Sequence, residues 1–542
     1  MKNFKISLLL LLSIYIFAAC NSVDADFSFT PAEPKTGQQV VFTNLSTGSD
    51  KWEASSWQWE FGDGGKSTQK NPSYTYKKAG IYEIKLQVDS NKNYVRKRQI
   101  TVYDSIPVIY TGVDSIKYYQ LHTFQALIYN PYGYTITYDW TFSDNAVSQN
   151  ITNNKSTAAK LDVFFNKKNT NETVKLRIKV GSIIDTLLTY NFKVHDVKAR
   201  SLVMSQKGGN ILRQRTFALG IEAAEATNIP SGKNPLNILV RNEQLYIFDA
   251  GTNVNYNANW ATDATGDGSI RMADLKTNAV TEIANNNGKS SHFGFYNGYV
   301  DANYIYWTDY SEFMYRTPIN STIGNFEWKG SVDAQTTIPY YLATVNRLGY
   351  YGKGLASNQR SGGIAFFDNA YFWAKGGSGR GIYRFMETDI LSAAATGSSP
   401  VPTLGVILSD FAVHAFVIDQ INRKIYFSAT GPENKAGFWV ANINGSSPML
   451  IDNAPMDDAS LYITGIAVDN STNKVYWAYR SPETLGKPSP KGTWAEYYTN
   501  NPTHRTGIKQ ATLSVLNARP GNVEYFSLGV EAYGIAIDNV RR

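Results

Sequence analysis

The chain has 542 residues, more than a single hydrophobic core serves, so about two to four domains are expected. Hydrophobic residues at 43% and charged residues at 18% exclude a disordered chain. The formal charge is +7, Lys2 and Lys5 belong to a leader, and no dense basic stripe occurs, which argues against a nucleic-acid partner. The leader comes first in chain order. MKNFKISLLLLLSIYIFAAC has two lysines, an apolar run over positions 6–19 and small residues at its end. That is the pattern of a secretory signal, too short and wrongly flanked for a spanning helix. Residues 27–103 then alternate with period two. Trp57, Trp59 and Phe61 share one strand face, and Tyr82, Ile84, Leu86 and Val88 share another, with Glu83, Lys85 and Gln87 opposite. Short strands between Gly, Asn and Pro turns predict a β-sandwich of about 90 residues.

Two resemblances attach to these segments. Phe17-Ala18-Ala19-Cys20 resembles a bacterial lipobox, which implies that Cys20, the one cysteine of the sequence, is lipidated and begins the mature chain. The alternative is a plain signal peptide with an incidental cysteine. The NSVDAD that follows Cys20 resembles in part the acidic tag of Bacteroidota lipoproteins exported to the outer cell surface, so a lipid anchor in the outer membrane facing the exterior is expected. WEFGDGGKSTQKNPSYTYKKAGIYEIKLQV resembles a PKD domain, an immunoglobulin-like sandwich, through W-x-F-G-D-G, the N-P before an aromatic strand and the G-x-Y before the last strands. Residues 107–195 resemble an eroded second copy, in which TYDWTFSDN at 137–145 stands where WEFGDG would, and KLRIKV and YNFKV supply late strands.

From about residue 199 an internal repeat begins. Each unit is an apolar strand, an Asp or Asn, a short turn, and an apolar-Tyr-apolar strand: NILVRNEQLYIF, YVDANYIYW, IAFFDNAYFW, FVIDQINRKIYF, IAVDNSTNKVYW and a final YGIAIDN. The markers Asn242, Asp301, Asp368, Asp419, Asp469 and Asp538 recur about 50–70 residues apart. Two more strand-like pieces follow each complete pair, so four strands per unit and six units predict a six-bladed β-propeller, with seven blades as the alternative. The last unit has one strand, and RSLVMSQKGGNILRQRTF at 200–217 is expected to complete it, closing the ring. YIYWTD at 304–309 resembles the YWTD propeller family, which is six-bladed. The expected organisation is all-β: 1–19 signal peptide, 20–26 tether, 27–103 PKD domain, 104–197 second PKD-like sandwich, and 198–542 propeller.

Few motifs carry chemistry. Gly62-Asp63-Gly64 leaves one strand and enters another, which is wrong for a phosphate loop and right for a hairpin, with a calcium or ligand contact as the alternative. DATGDGSIRMAD at 263–274 partly fits a calcium loop through Asp263, Thr265 and Asp267, but its last position is Asp274 rather than Glu, and a strand is expected there. His122, His195, His292, His414 and His504 form no close metal spacing, although the ring could gather the last three. Loop length is more informative. Second-to-third connections and links between blades share one end of a propeller, and the long segments 251–268, 331–362 and 481–507 are assigned to it. They carry Tyr256, Trp260, Arg347, Tyr350, Tyr351, Arg360, Trp494, Tyr497 and Tyr498, which are candidate ligand-binding residues; the alternative is that these aromatics only pack the loops.

The expected function is capture of a glycan or peptide by a surface lipoprotein. Resemblance to lipoproteins of that lineage implies a TonB-dependent transporter and its lid lipoprotein as partners. A propeller-type polysaccharide lyase or glycoside hydrolase, and a protein-binding adhesin or scaffold, are the competing expectations.

Overall fold

The computed structural model describes residues 23–48, 53–104, 106–130, 132–252, 267–285, 295–308, 313–325, 346–350, 361–375, 380–390, 401–454, 463–489, 492–513 and 523–542. The chain divides into two compact units, Met1–Val197 and Lys198–Arg542.

In the first unit, a three-stranded sheet of Phe27–Thr30, Gln39–Asn44 and Ser73–Thr75 is accompanied by a four-stranded sheet ordered Lys66–Ser67, Trp57–Glu60, Gly80–Val88, Val95–Val102. The period-two pattern sets the core: Trp59, Phe61, Ile84, Leu86 and Val88 are buried together with Phe27 and Phe42. Each such aromatic or aliphatic side chain contributes roughly 1.5–3 kcal/mol by leaving water. The indole of Trp59 stays satisfied by donating to the Gln69 carbonyl at 2.9 Å. Gly62 and Gly64 adopt φ of +88° and +93°, and Asp63 accepts from Gly65 N at 3.1 Å and the Tyr74 hydroxyl at 2.9 Å. The aspartate between glycines is therefore a hairpin element, since positive φ needs Gly and the carboxylate closes the turn.

Residues 108–195 form two more sheets. One is ordered Ala146–Val147, Lys160–Phe165, His122–Leu127, Val108–Tyr110, and the other Lys155–Ser156, Ile136–Thr141, Asn171–Val180, Ile184–His195, Ile116–Lys117. Trp140 repeats the arrangement of Trp59: it is fully buried, stacks against the aromatic two residues on, Phe142, and donates its Nε1–H to a carbonyl downstream, that of Ala158, at 2.8 Å.

Among the described residues the second unit forms six sheets, antiparallel except where Val280–Asn285 pairs parallel with Gly324–Asn325. Five follow chain order, with first strands Pro235–Arg241, Asn297–Val300, Ser361–Phe367, Ala412–Asp419 and Ile463–Asp469. The sixth joins the two ends of the unit: Ile535–Asp538 pairs with Ser201–Met204, which pairs with Asn210–Phe217, so residues 201–217 complete the sheet begun at the C-terminus. The first strands neighbour one another in succession, and Ile535–Asp538 lies beside Pro235–Arg241, which closes the series. Aromatic residues of the second and third strands fill the space between sheets. Phe438 and Trp477 stack at 4.4 Å between the fourth and fifth, and the Tyr306 and Tyr371 rings meet at 5.7 Å between the second and third.

The repeated Asp/Asn marker has two structural uses. At two-residue turns it takes the left-handed conformation, with φ of +47° at Asn242 and +56° at Asp368, as the twist of tight hairpins requires. At longer turns its carboxylate accepts backbone N–H groups: Asp301 from Asn303 and Tyr304, Asp419 from Ile421 and Asn422, and Asp469 from Ser471.

Candidate functional site

In the second unit, every first strand begins where its second strand ends. Pro235 pairs with Asp249, Asn297 with Thr308, Ser361 with Lys375, Ala412 with Thr430 and Ile463 with Tyr479. The second-to-third connections, among them 250–268 and 480–506, therefore leave from one end of the unit. The strand Asn346–Tyr350, within the segment 331–362, is the fourth strand of the second sheet and pairs antiparallel with Phe313–Pro318, so that part is strand rather than connection; residues 331–345 and 351–360 lie outside the described residues.

Along the axis of the unit the first strands enclose a cavity of about 210 Å³, lined by residues that include Asn237, Asn297, Gly363, Phe416, Thr464 and Gly534. Glycine is required by close approach: a Cβ at Gly534 would lie 2.8 Å from Ile238 N, and one at Gly465 would lie 2.6 Å from the Tyr533 carbonyl oxygen. The side-chain oxygen of Asn237 has no hydrogen-bond partner among the described residues.

The 480–506 connection carries the helix Trp494–Asn500, started by a capping box in which Thr493 Oγ1 accepts from Glu496 N and Glu496 Oε2 accepts from Thr493 N. Trp494 and Tyr497 are half-buried. Tyr498 is only 6% exposed and stacked on Trp494 at 5.7 Å, so it packs the loop rather than presenting a free face. Tyr497 shares a 2.7 Å hydrogen bond with His504 Nδ1, and His504 Nε2 lies 3.5 Å from Asn453 Oδ1. Burial and the nearby Lys509 charge hold the His504 pKa below its usual value. Lys509 is fully buried, 2.6 Å from Asp452 Oδ2 and 3.7 Å over the Tyr479 ring, while Trp477 Nε1 donates to the same carboxylate oxygen at 3.1 Å. Burial pushes the Lys509 pKa down against the pull of Asp452. This pair ties the fourth sheet to the fifth. Sequence reasoning missed it, because Lys509 interrupts an apolar strand pattern and reads as solvent-facing.

Arg347 and Tyr350 sit on the strand Asn346–Tyr350, paired with Tyr315 and Phe313. Tyr256, Trp260, Asp263, Thr265, Tyr351, Arg360 and His292 lie outside the described residues, as does Cys20. Asp267 is engaged at 2.5 Å by Lys233 Nζ and by the Thr252 amide and hydroxyl. Burial raises its pKa, but Lys233 and Thr252 outweigh that and hold it below the usual carboxylate range. Lys233 thus already supplies positive charge at this carboxylate. Asp274 ends the strand Ser269–Asp274, where the amides of Thr277 and Lys276 bring its pKa down to about 2. Its role is to cap a turn. Among the described residues no group of three or more His, Cys, Asp or Glu side chains could hold a metal ion. His414 is half-buried on the first strand of the fourth sheet, and His122 is buried in the first unit.

Comparison with known proteins gives one family. Residues 25–103 match the model of the PKD domain. Over 73 residues the chain is 30% identical to Collagenase ColA of Clostridium perfringens, a match covering 13% of this chain and 7% of the collagenase. The chain thus spans a small fraction of that relative's length. Among solved structures, a quinonprotein alcohol dehydrogenase-like protein from Bacteroides thetaiotaomicron matches at 12% identity over 78% of this chain and 94% of its own, with a TM-score of 0.25. A DUF4784 family protein from Bacteroides caccae matches at 7% identity over 80% and 99%, with a TM-score of 0.31.

Proposed function

We propose that this all-β chain with a PKD domain near its N-terminus is a lipid-anchored surface protein whose second unit is a six-bladed β-propeller. Its long-connection end captures a glycan or peptide, for uptake through an outer-membrane transporter and its lid lipoprotein. The sandwiches act as spacers, and Cys20 carries the anchor. The observation that carries the reading is the convergence of six first strands on an axial cavity, at whose end the connections 250–268 and 480–506 emerge. Connections on a rigid sheet scaffold can vary in sequence without cost to the core, and concave ends of such scaffolds bury ligands. Trp494 and Tyr497, both half-buried on a capped helix, are the described candidate aromatics left partly open to a ligand. His504 gives no support to a hydrolytic or lyase reading, since both its nitrogens face packing partners, Tyr497 and Asn453.

The test is a glycan array and a peptide panel probed with the mature protein, repeated with Trp260→Ala and Trp494→Ala combined. Binding should appear for the parent chain and fall at least tenfold in the double variant. Undiminished binding would remove this end of the unit as the site.

A further inference from the structure

The strand Ile184–His195 is, at 12 residues, the longest among the described residues. On one side it pairs with Asn171–Val180 in continuous register. On the other it meets only Ile116–Lys117, at Val194 and His195. Val194 N donates to the Thr170 carbonyl and the Val194 carbonyl accepts from Asn169 N, whereas the His195 carbonyl accepts from Tyr118 N on the opposite side. Main-chain groups alternate in direction along a strand, so even-numbered residues here bond to Asn171–Val180 and odd-numbered ones face the edge. The amides and carbonyls of Asp185, Leu187, Thr189 and Asn191 therefore point outward, with no partner among the described residues.

Open edges are normally guarded by charge, proline, a bulge or shortness. The other long edge of this unit, Val95–Val102, sets Arg96, Lys97 and Arg98 in exposed positions. The edge strands Phe27–Thr30 and Val108–Tyr110 are short. Ile184–His195 has none of these guards. It contains no proline and no bulge, and no charge lies between Asp185 and Lys193. Apolar groups stay open along it instead. Leu187, on the outer face, is 61% exposed. Ile184, Leu188 and Tyr190, on the inner face, are only half-buried, although Tyr190 reaches the Phe124 ring at 6.4 Å. An unguarded edge with uncovered apolar side chains is built to receive another strand.

A second copy of the same strand fits. Antiparallel addition about a twofold axis sets a strand against itself. Centred on Leu187, it opposes Leu187 to Leu187 of the second copy, Asp185 to Thr189, Ile184 to Tyr190 and Thr186 to Leu188. Outward-facing residues then meet outward-facing residues, so the main-chain ladder forms. Apolar side chains cover one another on both faces, and no like charges are opposed. Asp185, held in its own sheet by Arg177 at 2.9 Å and Lys179 at 3.4 Å, meets a hydroxyl. Registers centred nearer the C-terminus drive the second copy towards Val194, where Ile116 already pairs. We propose that the chain forms a twofold dimer in which two Ile184–His195 strands pair antiparallel about Leu187 and join two sheets into one. This surface lies in the first unit and does not depend on what the second unit binds.

The test uses the full chain purified in detergent, as parent, Leu187→Lys, Leu187→Cys and Thr189→Cys. Mass is read by sedimentation equilibrium with the detergent density-matched, cross-linking by non-reducing gel after mild oxidation, and folding by thermal unfolding. The parent, which carries Cys20 alone, is the control for adventitious linkage. It should be a dimer at micromolar concentration. Leu187→Lys places a charge at the axis and should weaken the dimer at least tenfold while keeping a cooperative unfolding transition. Side chains at the axis come within disulfide range, whereas the two copies of position 189 lie more than about 13 Å apart along the ladder. Leu187→Cys should therefore oxidise to a covalent dimer at least tenfold faster than Thr189→Cys. If Leu187→Lys loses its cooperative transition, the comparison of the two cysteine variants decides. A monomeric parent, a dimer that folded Leu187→Lys leaves intact, or cross-linking of Thr189→Cys as fast as that of Leu187→Cys would overturn the proposal. A monomeric parent whose edge instead takes up an extended segment of another protein would assign the edge to that segment and overturn it as well.

Discussion

His504 illustrates how one side chain can look like chemistry and act as structure. Its ring is sandwiched near Tyr479 and Tyr497, its nitrogens face Tyr497 and Asn453, and Lys509 with its partner Asp452 lies close by. Because burial and Lys509 depress its pKa, the folded chain binds fewer protons at this site than the unfolded chain does once the pH falls to the unfolded value near 6.5. The stability it contributes is therefore complete above that pH and declines as the pH drops towards the folded pKa. Thermal midpoints measured at pH 7.5 and 5.5 should fall on acidification, and His504→Gln should fall by less. An equal fall in both proteins would mean that His504 does not titrate between the two states. The same residue shows the limit of reading single positions: five histidines in a sequence say nothing about which ones fold against a tyrosine hydroxyl.

At the scale of strands and turns, much was legible. Alternation placed Trp59, Phe61, Leu86 and Val88 in one core, and the recurring Asp-turn-Tyr pattern marked the first hairpin of successive sheets, because tight turns demand Asn or Asp and the second strand must be apolar to fill the space between sheets. Two features were not legible. Asn346–Tyr350 reads as loop, since NRLGY lacks alternation, yet it pairs as a fourth strand with Phe313–Pro318. Lys509 reads as exposed, because a charge in a strand is normally solvated and its partner Asp452 is distant in sequence. The close approach of first strands was also hidden, as glycine has many uses. Gly534→Val places a branched side chain against Ile238 N and should cost about 1–3 kcal/mol by overpacking, measured by denaturant unfolding. Unchanged stability would mean that the strands can separate at that point without loss.

For the whole molecule, each of the two units has a core of its own. The PKD sandwich is closed by its own aromatic cluster, and its Gly62-Asp63-Gly64 turn is fully used in holding a hairpin. The second unit is held by a strand pairing between its two ends, Ile535–Asp538 with Ser201–Met204, and it keeps an axial cavity. The proposed division is a spacer followed by a binding head. Hydrogen–deuterium exchange on the intact chain, with and without a saturating ligand found on the array, tests it most directly. The account predicts slowed exchange in 250–268 and 480–506, with the PKD domain unchanged. Protection confined to the PKD domain would contradict it.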